Sequence, residues 1–156
     1  MYRETDFEAI GKMDAVSLEE MSSVSLMNRI DTKFVTTVEK LRLVLEDAFQ
    51  AGYRVCEISG QRLMAYASVY YDTPDLQMYT AHRNGKKTRQ KVRVRTYLID
   101  DETFLEIKRK NNRGRTKKKR ISIPASSVMD FGAVPEASAF LEKKSWWKAS
   151  DLTPET

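Results

Sequence analysis

Four cations stand at every second position of the segment RQKVRVRTYL: Arg89, Lys91, Arg93 and Arg95. Successive side chains of a β-strand point to opposite faces, so the segment is predicted to be a strand with one cationic and one apolar face. A row of like charges repels itself and needs an anion or opposing carboxylates. Three of the four are arginines, whose planar fork binds phosphate bidentately. The pattern favours a polyanion site, and its alternative is a solvated outer face.

Two further segments continue this alternation. The segment TFLEIKRK (103–110) places Glu106 and Lys108 on one face, and RTKKKRISI (115–123) is expected to place Lys118 and Arg120 on the ligand side. Three consecutive strands would then each combine cations on one face with apolar residues on the other. This is the pattern of a sheet built to hold a polyanion.

Glu106 and the basic run at 108–120 each allow two interpretations. Glu106 could pair with a neighbouring arginine, or it could bind a metal, because Mg²⁺ or Mn²⁺ carried by phosphates needs only one or two protein carboxylates. The run KRKNNRGRTKKKR holds nine cations in thirteen positions. It could be a mobile hairpin tip or a nucleic-acid patch, although no aromatic residue interrupts it to stack on bases. We therefore do not expect nucleic acid as the partner.

The charge of the chain is concentrated in one block. The 156 residues carry a formal net charge of +5. Residues 86–120 contain fifteen Lys and Arg against four Asp and Glu, so the remainder of the chain is net negative. A basic block in an otherwise acidic chain concentrates positive potential in one place and favours anionic ligands there. The length suits one domain with a substantial core.

Compartment signals are few. Cys56 is the only cysteine, which excludes an intramolecular disulfide and fits a reducing compartment. The start MYRETDFEAI has no apolar run of the secretory kind, and no stretch of about 18 apolar residues could span a bilayer. We expect a cytoplasmic chain without a transmembrane segment.

The local patterns predict six strands and about four helices. Residues 1–27 are expected to form an N-terminal helical segment in which Ser17 and Glu20 make a capping box. Strands are predicted at 28–35, 53–59 and 64–73, in addition to the three basic ones. Helices are predicted at about 37–52, 75–85 and within 125–156. Strands that follow one another directly favour an antiparallel sheet, so the fold class is α+β.

The chain resembles a known family in five segments taken in order. RIDTKFV, SVYYDTPDLQMY, RQKVRVRTY, FLEIKRK and KKKRISI are similar to those of the VTC domain, the polyphosphate polymerase domain within the CYTH or triphosphate tunnel metalloenzyme superfamily. The resemblance runs from about Asn28 to Ile123. It implies a VTC-like tunnel domain over residues 28–156, in which antiparallel strands enclose a tunnel lined by cations.

The resemblance also implies an activity and a set of site residues. VTC members transfer the γ-phosphate of ATP to a polyphosphate chain with Mn²⁺ or Mg²⁺, and relatives hydrolyse triphosphates. A catalytically silent polyphosphate- or nucleotide-binding module is a third alternative. The residues implied as catalytic are Lys33, Arg93, Arg95 and Lys108; those implied to bind phosphate are Arg29, Lys91, Lys118 and Arg120; the implied metal ligand is Glu106.

The sequence departs from the family pattern in two ways. Relatives carry an acidic E-x-E-x-K at the first strand, whereas this chain has Arg29, Asp31 and Lys33 there. This substitution favours the VTC branch and leaves fewer carboxylates for a metal. The family tunnel has eight strands, and no strand pattern follows Pro124. We therefore expect an incomplete tunnel.

Overall fold

The computed structural model describes residues 6–22 and 32–155. The chain divides into two units, residues 1–64 and 65–156. The predicted boundary between an N-terminal segment 1–27 and a tunnel domain 28–156 stays a prediction. No helix within the described ranges is both long and apolar enough to cross a membrane.

The first unit contains short elements around one longer helix. These are α1 (Glu8–Lys12), β1 (Ala15–Val16), α2 (Leu18–Ser22), α3 (Val38–Gln50) and β2 (Val55–Cys56). The strands β1 and β2 pair in parallel.

Two helix starts in the first unit follow the predicted capping chemistry. The capping box before α2 is confirmed: Ser17 N donates to a Glu20 carboxylate oxygen at 2.8 Å, and Glu20 N donates to Ser17 Oγ at 3.1 Å. Thr37 Oγ1 accepts the Lys40 N–H at the start of α3. The predicted strand 28–35 is wrong for residues 32–35, which have no regular structure. Its first four residues lie outside the described ranges.

The second unit is built on a five-stranded antiparallel sheet. Its strands are β3 (Tyr66–Asp72), β4 (Arg89–Tyr97), β5 (Thr103–Lys110), β6 (Thr116–Ser122) and β7 (Thr153–Glu155). The order across the sheet is β6-β5-β4-β3-β7, and every pairing is antiparallel. Helix α4 (Gln77–Arg83) follows β3, and α5 (Pro135–Lys144) lies between β6 and β7 in the chain.

One face of this sheet forms the hydrophobic core. Val92, Val94, Leu105 and Ile107 alternate with the cations along β4 and β5, and each is at most 1% exposed. They belong to one cluster with residues of α5 and of the short 3₁₀ turn Phe131–Ala133. Burying such a side chain contributes roughly 1.5–3 kcal/mol, so the apolar half of the alternation fixes which face points outward.

Asp72 joins the end of β3 to the start of α4. Its carboxylate is buried and accepts the backbone N–H groups of Thr73, Met78 and Tyr79 at 2.7–2.8 Å. Two of these donors, the N–H groups of Met78 and Tyr79, belong to the first turn of α4, where backbone N–H groups have no acceptor within the helix. The Asp72 side chain therefore sets the angle at which the chain leaves the sheet.

The predicted fold class is confirmed. Helices flank an antiparallel sheet that, over the described residues, is not closed into a barrel, in agreement with an incomplete tunnel. The prediction that no strand follows Pro124 is wrong, because Thr153–Glu155 pairs with β3. Its Pro154 is tolerated because β7 is an edge strand.

The substitution Asp72→Ala tests the junction between β3 and α4. It should lower the free energy of unfolding by about 2 kcal/mol, because buried N–H donors lose their acceptor. Urea denaturation followed by tryptophan fluorescence measures this, since Trp146 and Trp147 are the only tryptophans and both lie in the second unit. The control Asp47→Ala, at an exposed site on α3, should change the value by under about 0.5 kcal/mol. Equal effects of the two changes would contradict the assigned role.

Candidate functional site

The face of the sheet opposite the core carries rows of cations. In the strand register Lys91 lies beside Lys108, and Lys108 lies beside Lys118. The next row contains Arg93, Glu106 and Arg120. We call this surface the inner face and define it by the eight cations that β4, β5 and β6 contribute to it: Arg89, Lys91, Arg93, Arg95, Lys108, Lys110, Lys118 and Arg120.

Only one carboxylate stands among these eight cations on the three strands. Directly opposed like charges destabilise a sheet, so the row of three lysines has a standing electrostatic cost. Bound phosphate groups would remove that cost. Lys118 and Arg120 share this face, as alternation predicts, because they pair across the sheet with Lys108 and Glu106; their role toward a ligand stays a prediction.

Glu106 is the centre of the inner face. Its side chain is only 2% exposed, and two cations hold it from neighbouring strands. Arg93 contacts Oε2 through Nε at 2.7 Å and Nη2 at 2.6 Å. Lys118 Nζ lies 2.5 Å from Oε1, a close ion pair. The three residues link β4, β5 and β6 at mid-strand.

The pKa values of this group follow from the pairing. Burial alone would raise the pKa of the Glu106 carboxyl, but Lys118 and Arg93 outweigh it and hold that pKa below its ordinary value. Burial likewise opposes the charge on Arg93, yet Tyr70 and Glu106 leave its pKa raised. Glu106 and Arg93 therefore both stay ionised at neutral pH.

Aromatic rings support two of the arginines. The guanidinium carbon of Arg95 lies 3.8 Å from the centroid of the Tyr66 ring, and that of Arg120 lies 4.2 Å from the Phe104 ring. An arginine stacked on a ring keeps its N–H groups in the plane of the fork, where they remain available to an anion. Sequence reasoning gave these two rings no role, although Phe104 alternates in phase with Glu106 and Lys108 on β5, and Tyr66 alternates in phase with Ser68 and Tyr70 on β3.

Hydroxyl groups of β3 hold the same arginines from the side. Ser68 Oγ accepts a hydrogen bond from Arg95 Nε at 3.0 Å, and Tyr70 OH accepts one from Arg93 Nη1 at 3.3 Å. Burial would raise the pKa of Tyr70, but Arg93 and the nearby charges of Lys91 and Arg95 leave it lowered. Ser68 and Tyr70 thus act as hydrogen-bonding groups that fix the two arginines.

The structure brings most of the predicted site residues together, but not all. Arg93, Arg95, Lys108, Lys91, Lys118, Arg120 and Glu106 share the inner face. Lys33 lies in the other unit, on an exposed stretch without regular structure. Arg29 lies outside the described residues. Their roles stay predictions.

The donor set for a divalent metal is small. No group of three or more His, Cys, Asp or Glu residues suited to a metal occurs within 6–22 and 32–155. Glu106 does offer Oε1, a buried oxygen that Arg93 leaves free and that only Lys118 contacts among the ion pairs of the described residues. One such oxygen fits Mg²⁺ or Mn²⁺ held mainly by phosphate oxygens and water, and does not fit an all-protein cage. Lys118, about half exposed, would have to move aside.

The comparison with known families agrees with this geometry. The fold is that of an α+β protein whose open antiparallel sheet carries cations on its inner face. The family model of the VTC domain matches residues 28–154. The chain therefore belongs to the VTC domain family, which is associated with polyphosphate metabolism. No curated protein matches the chain.

The pH dependence of stability tests the Glu106 triad. A carboxyl whose pKa is lower in the folded state stabilises the fold above its unfolded value, near 4.5, and loses this contribution as the pH falls through the folded value. Glu106→Gln should cost about 2 kcal/mol at neutral pH, because it leaves two cations unpaired. Its urea midpoint should then fall less than that of the wild type between about pH 5 and 3. The exposed control Glu102→Gln should follow the wild type; if Glu106→Gln does so too, the triad is not ionised as described.

Proposed function

We propose that this chain binds the phosphate groups of ATP and of polyphosphate on its inner face and transfers the γ-phosphate of ATP to the polyphosphate chain. The observation that carries the proposal is the composition of the inner face: three neighbouring strands place eight cations and a single carboxylate, Glu106, on the same side of the sheet. Phosphoryl transfer depends mainly on positioning and on neutralising charge. An array of fixed cations supplies both.

In this proposal different cations of the inner face bind different phosphate groups. Arg93 and Arg95 are fixed by hydrogen bonds and rings, so they would orient the γ-phosphoryl group. Lys91, Lys108 and Lys118 form a row that would hold the neighbouring phosphates. Prepositioned donors cost no reorganisation when charge develops in the transition state.

The transfer itself balances without a protein base. A terminal phosphate oxygen of the polyphosphate attacks the γ-phosphorus of ATP in line, and the bond from that phosphorus to the β–γ bridging oxygen breaks. ADP leaves and the chain is one phosphate longer. A phosphate nucleophile is already ionised, so no proton needs to be removed from it. The sole histidine, His82, is not required as a base, and its pKa is lowered by partial burial and by the lysines and arginines nearby.

A divalent metal has a defined place in this proposal. Glu106 Oε1 would hold Mn²⁺ or Mg²⁺, which would supply positive charge that offsets the charge of the phosphates. The ammonium of Lys118, which contacts that oxygen, would then be free to pair with phosphate.

Two alternatives use the same face. Water in place of the terminal phosphate would make the chain a triphosphate hydrolase, and binding without transfer would make it a polyphosphate- or nucleotide-binding module. The products formed from ATP and polyphosphate distinguish these functions. A polymerase lengthens the polyphosphate chain, a hydrolase releases ADP without lengthening it, and a binding module does neither. We also propose a cytoplasmic location, which the lone Cys56 favours.

The double substitution Arg93→Ala with Arg95→Ala tests phosphate binding. It should weaken tripolyphosphate affinity by roughly 100-fold, because each charge-assisted hydrogen bond is worth about 1.5 kcal/mol or more. Isothermal titration calorimetry measures this. The matched control is Lys40→Ala with Lys143→Ala, two exposed cations on α3 and α5. Unchanged affinity in the arginine variant would contradict the proposal.

The substitution Glu106→Gln tests the metal site. Without metal it should bind tripolyphosphate at least as tightly as the wild type, because one negative charge leaves the face. Addition of Mn²⁺ should strengthen binding to the wild type and to the control Glu102→Gln, but not to Glu106→Gln. Equal strengthening in all three would exclude Glu106 as the metal ligand.

A further inference from the structure

The opposite face of the sheet carries a second basic site. A cleft of about 350 Å³ lies beside β5, β6 and the C-terminal end of α5. We call it the outer cleft and define it by five cations that line it: Arg109, Arg115, Lys117, Lys119 and Lys144. Lys110, which belongs to the inner face, also reaches the lining at the end of β5. Within the described residues none of the five forms an ion pair with a carboxylate.

The strand period accounts for this second site. The basic run at 108–120 alternates along β5 and β6, so it supplies both faces of the sheet. Lys118 and Arg120 belong to the inner face, whereas Lys117 and Lys119 pair with Arg109 and Ile107 on the other side. Half of the run is therefore not used by the proposed phosphate-transfer site. These outward cations would repel one another in a site with no anion.

The turn between β5 and β6 fixes the entrance of the outer cleft. Asn111 Oδ1 accepts the backbone N–H groups of Arg113 and Arg115, each at 3.0 Å. Gly114 has φ +78°, a conformation that other residues rarely adopt. The turn thus holds Arg115 beside the lysines of β6 in place of a loose basic loop.

Trp146 determines which kind of polyanion suits the cleft. The guanidinium carbon of Arg109 lies 4.6 Å from its ring centroid, and Arg109 Nη1 donates to the Lys144 carbonyl oxygen at 3.3 Å. Among the described residues that line the cleft, Trp146 is the only aromatic one, and Arg109 covers one side of its ring, so the cleft is poorly suited to stacking nucleobases. The lining favours an anion that is phosphate along its whole length.

We propose that the outer cleft binds a second segment of a linear inorganic polyphosphate chain. The inference rests on the proposed function, because a growing chain longer than the inner face must be held elsewhere or remain in solvent. Alternate residues on a strand lie about 7 Å apart, so Lys117 and Lys119 form a line of charge suited to an extended polyanion. The two sites together would keep a long chain bound between transfers.

The test uses the full chain with Lys117→Thr and Lys119→Thr combined. Threonine removes both charges and keeps strand propensity, so the exposed strand β6 should still form. Affinity for long-chain polyphosphate should fall about tenfold and its salt dependence should become shallower, because two fewer counter-ions are exchanged. Affinity for tripolyphosphate should change less than about twofold, because in our proposal this short anion binds the inner face and does not contact Lys117 or Lys119.

Two control variants sharpen the result. Lys117→Arg with Lys119→Arg keeps the charge and should keep long-chain affinity. Lys40→Thr with Lys143→Thr removes two exposed cations elsewhere and should have no effect on it. Long-chain affinity in the Lys117/Lys119 threonine variant equal to that of this control would overturn the proposal. The proposal would also be overturned if the wild type bound single-stranded RNA more tightly than polyphosphate and the Lys117/Lys119 threonine variant lost that RNA binding.

The readouts separate this inference from the proposed function. If Arg93→Ala with Arg95→Ala leaves tripolyphosphate binding intact, the inner site is wrong whatever the outer variant does. If tripolyphosphate binding depends on those arginines while long-chain binding ignores Lys117 and Lys119, only the outer cleft is wrong.

Discussion

The ion pairs of Glu106 with Arg93 and Lys118 are the constraint on which the inner face depends. A buried carboxylate is costly unless cations hold it, and here they come from the strands on either side. The same contacts cross-link β4, β5 and β6 and keep Arg93 in one orientation. Glu106 is thus a structural pivot and, in our proposal, an acidic ligand for a metal. A different carboxylate oxygen serves each role. Oε2 binds Arg93, and Oε1, which contacts the more exposed Lys118, would bind the metal.

The cationic face in turn requires the core behind it. Val92, Val94, Leu105 and Ile107 are buried on one side of the same strands that display the cations on the other. A shift of one residue in the register would bury arginine and expose valine, so hydrophobic burial fixes the direction of each charged side chain. This explains how an array of like charges can be held in place before any anion binds.

Alternation in the sequence was sufficient to predict this face because a strand has a strict period of two. Arg93, Arg95, Glu106, Lys108, Lys118 and Arg120 could all be assigned to one side from their positions alone. Contacts that depend on register could not be assigned in this way, such as Ser68 with Arg95 or Phe104 with Arg120. Strand β7 was missed because three residues that include Pro154 carry no periodic signal, and their pairing with β3 is decided by the fold. The strand predicted at 28–35 failed at residues 32–35 because alternation over so short a segment does not supply a pairing partner.

The central claim is that the inner face is a phosphate site and not a solvated surface. Calorimetric titration of the wild-type chain with tripolyphosphate at physiological salt, with a short DNA duplex in parallel, tests it most directly. We predict clear tripolyphosphate binding, strengthened by Mn²⁺, and weak binding of the duplex. Absence of tripolyphosphate binding, or a preference for the duplex, would contradict the account.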